Sequence, residues 1–291
     1  MATDEWHVSE LTDPAAAIEC AAELVDADPV AYSVFSTVTA SLLKEPSRFT
    51  DPRWWAVQDC AGQVSLLAMQ TPPHPLHLPA HVPGTATALA DHLLAAGDSV
   101  PGVNGPVAAV EEFTDRYLLA SGTRVRGREA IGVYDLPVRA RLPWPVAGEA
   151  RLADESHVDL VASWVSAFML ETGDSLNDPE ATARRQIGLG NVSLWVVDAC
   201  PVAMWWASDA FGGVVRVSGV YTPRTHRGNG YASAVVVAAS VREADKGHTC
   251  MLYTQLANPT SNKIYRTLGY RYLGEDLRLT FATGPVERRP E

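Results

Sequence analysis

The stretch from His226 to Val237, HRGNGYASAVVV, constrains this chain more than any other. An arginine and two glycines stand between the β-branched run VVRVSGVYT, Val214 to Thr222, and an almost unbroken apolar segment. A strand must end there and a helix must begin, which leaves several backbone N–H groups without partners inside the helix. Glycine permits the angles of such a turn and lets a ligand touch the main chain, and the helix dipole adds a partial positive charge. The turn is therefore a candidate anion cradle. Two known phosphate-loop patterns are excluded: no Lys-Ser or Lys-Thr follows the glycines, and Ser233 stands where the dinucleotide pattern needs its third glycine.

Charge distribution points the same way. The formal net charge is −11, yet no Asp or Glu occurs from Ala210 to Val241, a window that holds Arg216, Arg224 and Arg227. Acids are absent again from Lys246 to Gly274, where Lys246, Lys263, Arg266 and Arg271 occur. That second window contains NPTSNKIYRTLGY, Asn258 to Tyr270. Asn258 and Pro259 read as a helix cap and first helical residue, and Gly269 as a stop. Asn262 and Tyr265, three apart, share one helix face, while Ile264 and Leu268 face a core.

Strand, Arg-x-x-Gly-x-Ala, helix, strand and then this Asn-Tyr helix resemble the GCN5-related N-acetyltransferase superfamily, over about Glu149 to Thr283. The resemblance implies that the main chain of Arg227, Gly228, Asn229, Gly230, Tyr231 and Ala232 cradles the pyrophosphate of acetyl-CoA. It implies that the backbone of Val220 and Thr222 pairs with the pantetheine arm, and that Asn258 and Asn262 belong to the cofactor-binding motif. Tyr265 is expected to be the general acid for the departing thiolate. The base stays open between Glu171, Asp209 and a water held by Ser218. Arg224 departs from the family pattern, standing where such loops often carry proline, and adds charge near the adenosine phosphate.

The rest of the chain sets the organisation. At 291 residues it has length for two domains. The first half reads as two helices, the first begun by Asp13-Pro14, then a hairpin of RWWAVQD and QVSLLAMQT around Gly62. A loop rich in proline and histidine follows, then helices over Thr85 to Ala96 and Val107 to Ser121 and an extended RVRGREAIGVYDL. Prolines interrupt RARLPWPVAGEA, Arg139 to Ala150, the predicted boundary. The second half repeats a similar order, with Asp154 as cap of an amphipathic helix and a closing pair of extended segments, YRYLGE and LRLTFAT. The expected fold class is α/β (α+β): two tandem acetyltransferase-like domains, each a mixed, mostly antiparallel twisted sheet flanked by helices. Their predicted spans are 1–140 and 149–283, with a tail over 284–291.

In the first half, the position of the glycine loop is held by PPHPLHLPAHVPG, and prolines lack the N–H groups of which a phosphate cradle is made. That half is predicted not to bind coenzyme A. His74, His77 and His81 lie among those prolines without cysteine or glutamate close by, and no metal site is expected. Cys20, Cys60, Cys200 and Cys250 are scattered and read as free thiols. Trp54, Trp55, Trp195, Trp205 and Trp206 read as strand core, with one or two available to an acceptor pocket.

The acidic balance argues against nucleic acid, and no segment reads as a signal peptide or membrane span. The expected location is cytoplasmic. The expected activity is transfer of an acetyl group from acetyl-CoA to a primary amine of a small acceptor, by direct attack in a ternary complex. No cysteine lies in the matched motifs, which disfavours an acyl-enzyme. A cationic acceptor suits the charge, and the chain leaves room for a homodimer. The rival reading is an acyl-CoA-binding sensor or scaffold without chemistry, which would have no need of Tyr265.

Overall fold

A computed structural model describes residues 6–11, 13–173 and 178–282. The predicted tail over 284–291 lies outside them. Two compact units emerge: one holds the chain up to Gly132, together with Gln255–Ala257 and the segment from Gly274 onward; the other holds Val133–Thr254 and Asn258–Leu273.

The first repeat runs β1 (His7–Leu11), α1 (Pro14–Ala27), α2 (Ser33–Lys44), β2 (Arg53–Gln58), β3 (Val64–Gln70), β4 (Leu76–His77), α3 (Thr85–Ala96), β5 (Gly102–Pro106), α4 (Val107–Ser121) and β6 (Val125–Asp135). The second runs β7 (Glu149–Leu152), α5 (Val158–Thr172), α6 (Pro179–Gly188), β8 (Val192–Val197), β9 (Cys200–Ala207), β10 (Val214–Tyr221), α7 (Tyr231–Asp245), β11 (Thr249–Gln255), α8 (Pro259–Thr267) and β12 (Arg271–Phe281). Short 3-10 turns aside, the two orders are the same. Within each unit the strand pairing is mixed, the hairpins antiparallel and a parallel pair beside them, β4 with β5 in the first and β10 with β11 in the second.

Local signals explain the element starts. The Asp13 carboxylate accepts from the N–H groups of Ala15 and Ala16 at 2.8 and 2.9 Å and begins α1. Asp178 and Asn258 cap α6 and α8 in the same way, through Ala181 and Ser261. Asp154 caps a 3-10 turn, Glu155–His157, and α5 starts directly after it at Val158, so the cap acts on the turn that leads into the helix. The hairpin of β2 and β3 pairs as expected.

Three features depart from the sequence reading. The proline loop hides β4, which pairs in parallel with β5 through Leu76 and Val103; two residues are too few to show a period. The predicted closing pair is one continuous strand, β12: Gly274 has no positive φ and open space around its Cα, so nothing breaks the chain there. Finally, residues 274–281, assigned from sequence to the second half, belong to the first unit, where Asp276 to Thr280 pair with β5. Gly102 tolerates that strand because a Cβ there would fall 2.1 Å from the Leu279 carbonyl oxygen.

Each unit has its own core. In the first, α3 and α4 press Leu89, Leu93, Val110 and Phe113 onto Trp55, Leu66 and Leu76 of the sheet, joined by Leu277, Leu279 and Phe281 of β12. In the second, α7 covers one sheet face through Val235, Val236 and Ala239, and α5 and α6 cover the other through Val161, Val165 and Ile187. The strand tryptophans Trp54, Trp55, Trp195, Trp205 and Trp206 are all buried.

Candidate functional site

In the second unit, β10 and β11 pair from Val214 with Thr249 as far as Val217 with Leu252. Both strands continue, to Tyr221 and Gln255, without further pairing to each other. The cause lies in β10. Its register against β9 shifts between Val217 and Gly219, a bulge that bends the strand. Only glycine fits at 219, where a Cβ would lie 2.1 to 2.4 Å from the Trp206 ring. Past the bulge, the edge of β10 that faced β11 is open. Crevices at the carboxyl ends of parallel strands are where ligands settle in such sheets.

The glycine turn stands at the mouth of this gap. Gly228 and Gly230 adopt left-handed φ of 85° and 79°, and Gly230 precedes α7 with no side-chain cap. Gly228 has no neighbouring atom within 4 Å of a built Cβ. Among the described residues, the backbone N–H groups of Gly228 to Ser233 donate to nothing. The Thr222 hydroxyl at the end of β10 is buried and likewise unpartnered among the described residues. Asn229 turns its amide back onto the carbonyls of His226 and Arg227, at 3.1 and 3.4 Å, and so shapes the turn with its side chain. Trp144 and Val146 flank Gly230, 3.1 and 3.2 Å from a built Cβ. The sequence flagged their proline-rich segment only as a boundary.

Arg227 aims its guanidinium away from those N–H groups. Its Nε donates to the Thr222 carbonyl at 2.9 Å, its Nη2 to both Glu171 oxygens at 2.9 and 2.7 Å, and it stands 5.9 Å from the centre of the Tyr221 ring. Arg224 Nε is 3.6 Å from the same carboxylate. Glu171 is thus brought to the loop itself. Of the other two base candidates, the Asp209 carboxylate accepts from the Asn191 amide at 2.7 Å, and Ser218, within the bulge of β10, donates its hydroxyl to the Arg216 carbonyl at 3.4 Å.

The Asn-Tyr helix is anchored from a distance no spacing rule reveals. Asn262 donates to the Asn258 carbonyl and accepts from the buried Tyr134 hydroxyl of β6, both at 2.7 Å. Tyr265 packs on the same apolar cluster as Val220 and edge-on against Tyr270, ring centres 5.5 Å apart. Its hydroxyl bonds to no described residue, and burial pushes it up to about 12. Tyr270 in turn has its hydroxyl 3.0 Å from that of Ser240.

The first unit treats the corresponding helix start differently. Gly84 precedes α3 as Gly230 precedes α7, again left-handed and without a cap from its own side chain. Here the Glu112 carboxylate of α4 takes the N–H groups of Gly84 and Thr87, at 3.2 and 2.9 Å, and lies 2.9 Å from His81 Nε2. The Trp6 indole fills the space over Gly84. Of the other loop histidines, His77 Nδ1 lies 3.3 Å from the Asn104 side-chain oxygen. Among the described residues no group of histidine, cysteine and carboxylate side chains is arranged to hold a metal, and no helix is long and apolar enough to cross a membrane.

Comparisons with known proteins fit this geometry. Residues 202–279, from β9 into β12, match the family model of FR47-like proteins. No curated protein matches the chain. Among solved structures, a GCN5-related N-acetyltransferase from Sphaerobacter thermophilus superposes with a TM-score of 0.63 at 13% identity, covering 95% of each chain. A GNAT-family acetyltransferase from Colwellia psychrerythraea gives 0.58 at 11%, over 95% of this chain and 100% of its own. A tandem GNAT protein from the clavulanic acid biosynthesis pathway gives 0.52 at 14%, over 97% and 100%.

Proposed function

We propose that this chain, whose fold is similar to that of GCN5-related N-acetyltransferases, is an enzyme that moves the acetyl group of acetyl-CoA to a primary amine, with its site in the second unit. The observation that carries this reading is the gap between β10 and β11, opened past Val217 and bordered by the unused N–H groups of Gly228 to Ser233. Acetyl-CoA fits that combination. The opened edge of β10 offers strand-like hydrogen bonds at Val220 and Thr222, as an added strand would use them, and the N–H row suits a pyrophosphate.

The thioester supplies an activated acyl carbon. Main-chain N–H groups at the end of β10 hold its carbonyl and favour the charge that develops on the oxygen. The amine nitrogen forms the new C–N bond as the C–S bond breaks. Tyr265 gives its proton to the sulfur, and the acceptor's surplus proton passes to a carboxylate or to water. Asn258 and Asn262 hold the start of α8, and through it the place of Tyr265. In the first unit, Glu112 already occupies the helix start, so that unit binds no coenzyme A and serves as scaffold.

The acceptor is proposed to be small and cationic, in keeping with the net charge of −11. Thiol release from acetyl-CoA, followed across a panel of cationic and neutral amines, tests both statements. Turnover restricted to neutral amines overturns the charge argument. Tight acetyl-CoA binding with no turnover on any amine favours a sensor over an enzyme.

A further inference from the structure

The Arg227–Glu171 contact joins three elements through one guanidinium: the last turn of α5, the end of β10 and the glycine loop. A residue meant to grip phosphate directly would point its charge into the loop. Arg227 instead lies back along the strand, with Nε on the Thr222 carbonyl and Nη2 on the carboxylate. A guanidinium held at two of its nitrogens, Nε on the carbonyl and Nη2 on the carboxylate, is a strut, because the fixed donor directions of the planar group set orientation as well as distance. Glu171 lies one residue before the end of α5, which Gly173 closes in a left-handed cap. It is 32% exposed, and Arg224 stands beside the same oxygens.

We propose that Glu171 is a positioning residue for the acetyl-CoA loop: it locks Arg227 onto the end of β10, and this fixes the entry to the N–H row that receives the pyrophosphate. The inference rests on the reading of that loop as the acetyl-CoA site. It assigns Glu171 a task other than the base, since both carboxylate oxygens are turned to Arg227. It also sets order against charge. Removing the carboxylate adds net positive charge beside the phosphates, which by attraction alone strengthens binding. Loss of the strut weakens it. The sign of the effect decides.

The test is a double-mutant cycle on acetyl-CoA affinity, read by calorimetry with the full chain, using Glu171→Gln, Arg227→Gln and the pair. Each single variant is expected to weaken binding about tenfold, the scale of one charge-assisted contact, and the double variant no more than either single. Raised KM for acetyl-CoA and an unchanged shape of the kcat–pH profile are expected in Glu171→Gln, with part of the affinity restored in Glu171→Asp. Unaltered melting temperatures show that the variants fold. Equal or tighter binding by Glu171→Gln, multiplying losses in the double variant, or loss of the acidic limb of the pH profile overturns the inference. Failure of the unsubstituted protein to bind acetyl-CoA overturns the proposed function, and this inference with it; a normal wild-type affinity with a silent Glu171→Gln overturns the inference alone.

Discussion

Replacing Glu112 by alanine is expected to destabilise the first unit markedly although the residue lies far along the sequence from the loop it seals. The carboxylate holds two N–H groups at the start of α3, with His81 beside it, and its side chain is 20% exposed. Hydrogen bonds to a charged acceptor each contribute about 1.5–3 kcal/mol net, and water entering the space left behind restores part of this. A loss of about 2–4 kcal/mol follows, or roughly 5–12 °C in Tm for a unit of this size. The effect has a pH signature. Burial works to raise the Glu112 carboxyl, but its contacts with Thr87, His81 and Gly84 prevail and hold it below its usual 4.5. A lowered carboxyl stabilises the fold above its unfolded value, and that contribution vanishes as pH falls through the folded value. The gap between wild type and Glu112→Ala must therefore be full at neutral pH and close in acid. Urea titrations at several pH values, with hydrogen exchange at the start of α3, measure it. A variant as stable as wild type at neutral pH, or a gap that persists unchanged in acid, refutes the sealing role.

Further outcomes can be checked on the same material. Gly230→Glu places a side chain at a φ of 79°, against Trp144 and Val146 and beside the N–H row; calorimetry is expected to show acetyl-CoA affinity lost by at least about 100-fold. Tyr265→Phe is expected to lower kcat by about 100-fold in the thiol-release assay with acetyl-CoA affinity kept, and equal turnover removes its role as acid. Because burial pushes the Tyr265 hydroxyl up to about 12, it stays protonated, and kcat should show no decline assignable to it below about pH 11. Asp276 shows the opposite linkage to Glu112. Burial pushes its carboxyl up to about 6, so the folded state holds the proton longer and stability falls as pH rises from about 4 to 6. Asp276→Asn should therefore gain up to about 3 kcal/mol in urea titrations at pH 8 and nothing at pH 3.

Much of the local structure around the candidate site was legible because its signals are local. A glycine pair between a β-branched run and an apolar run fixes a turn and a helix start wherever it occurs, and α7 begins at Tyr231 as the pattern implies. Asn258-Pro259 writes its own cap. The helices Thr85–Ala96 and Val107–Ser121 follow from apolar spacing and glycine stops, and their bounds agree with the sequence reading. The acid-free windows around the glycine turn and the Asn-Tyr helix mark that turn as a candidate anion site, against the acidic balance of the whole chain.

What the sequence left open depends on groups brought together from far apart. Tyr134 reaches Asn262, Arg227 reaches Glu171, and Glu112 returns to Gly84. Side-chain identity carries no address for a partner that distant; sheet register and helix packing supply it. The same holds for β12, whose apolar alternation states that it is a strand but not which strand it joins. The amino-acid sequence by itself determined where strands end and helices begin, because dihedral preference and capping act within a few residues. Only the tertiary structure decided that β10 parts from β11 past Val217, that one helix start is left open while its counterpart is closed by a carboxylate, and that Glu171 faces an arginine, since each is settled by which surfaces pack together.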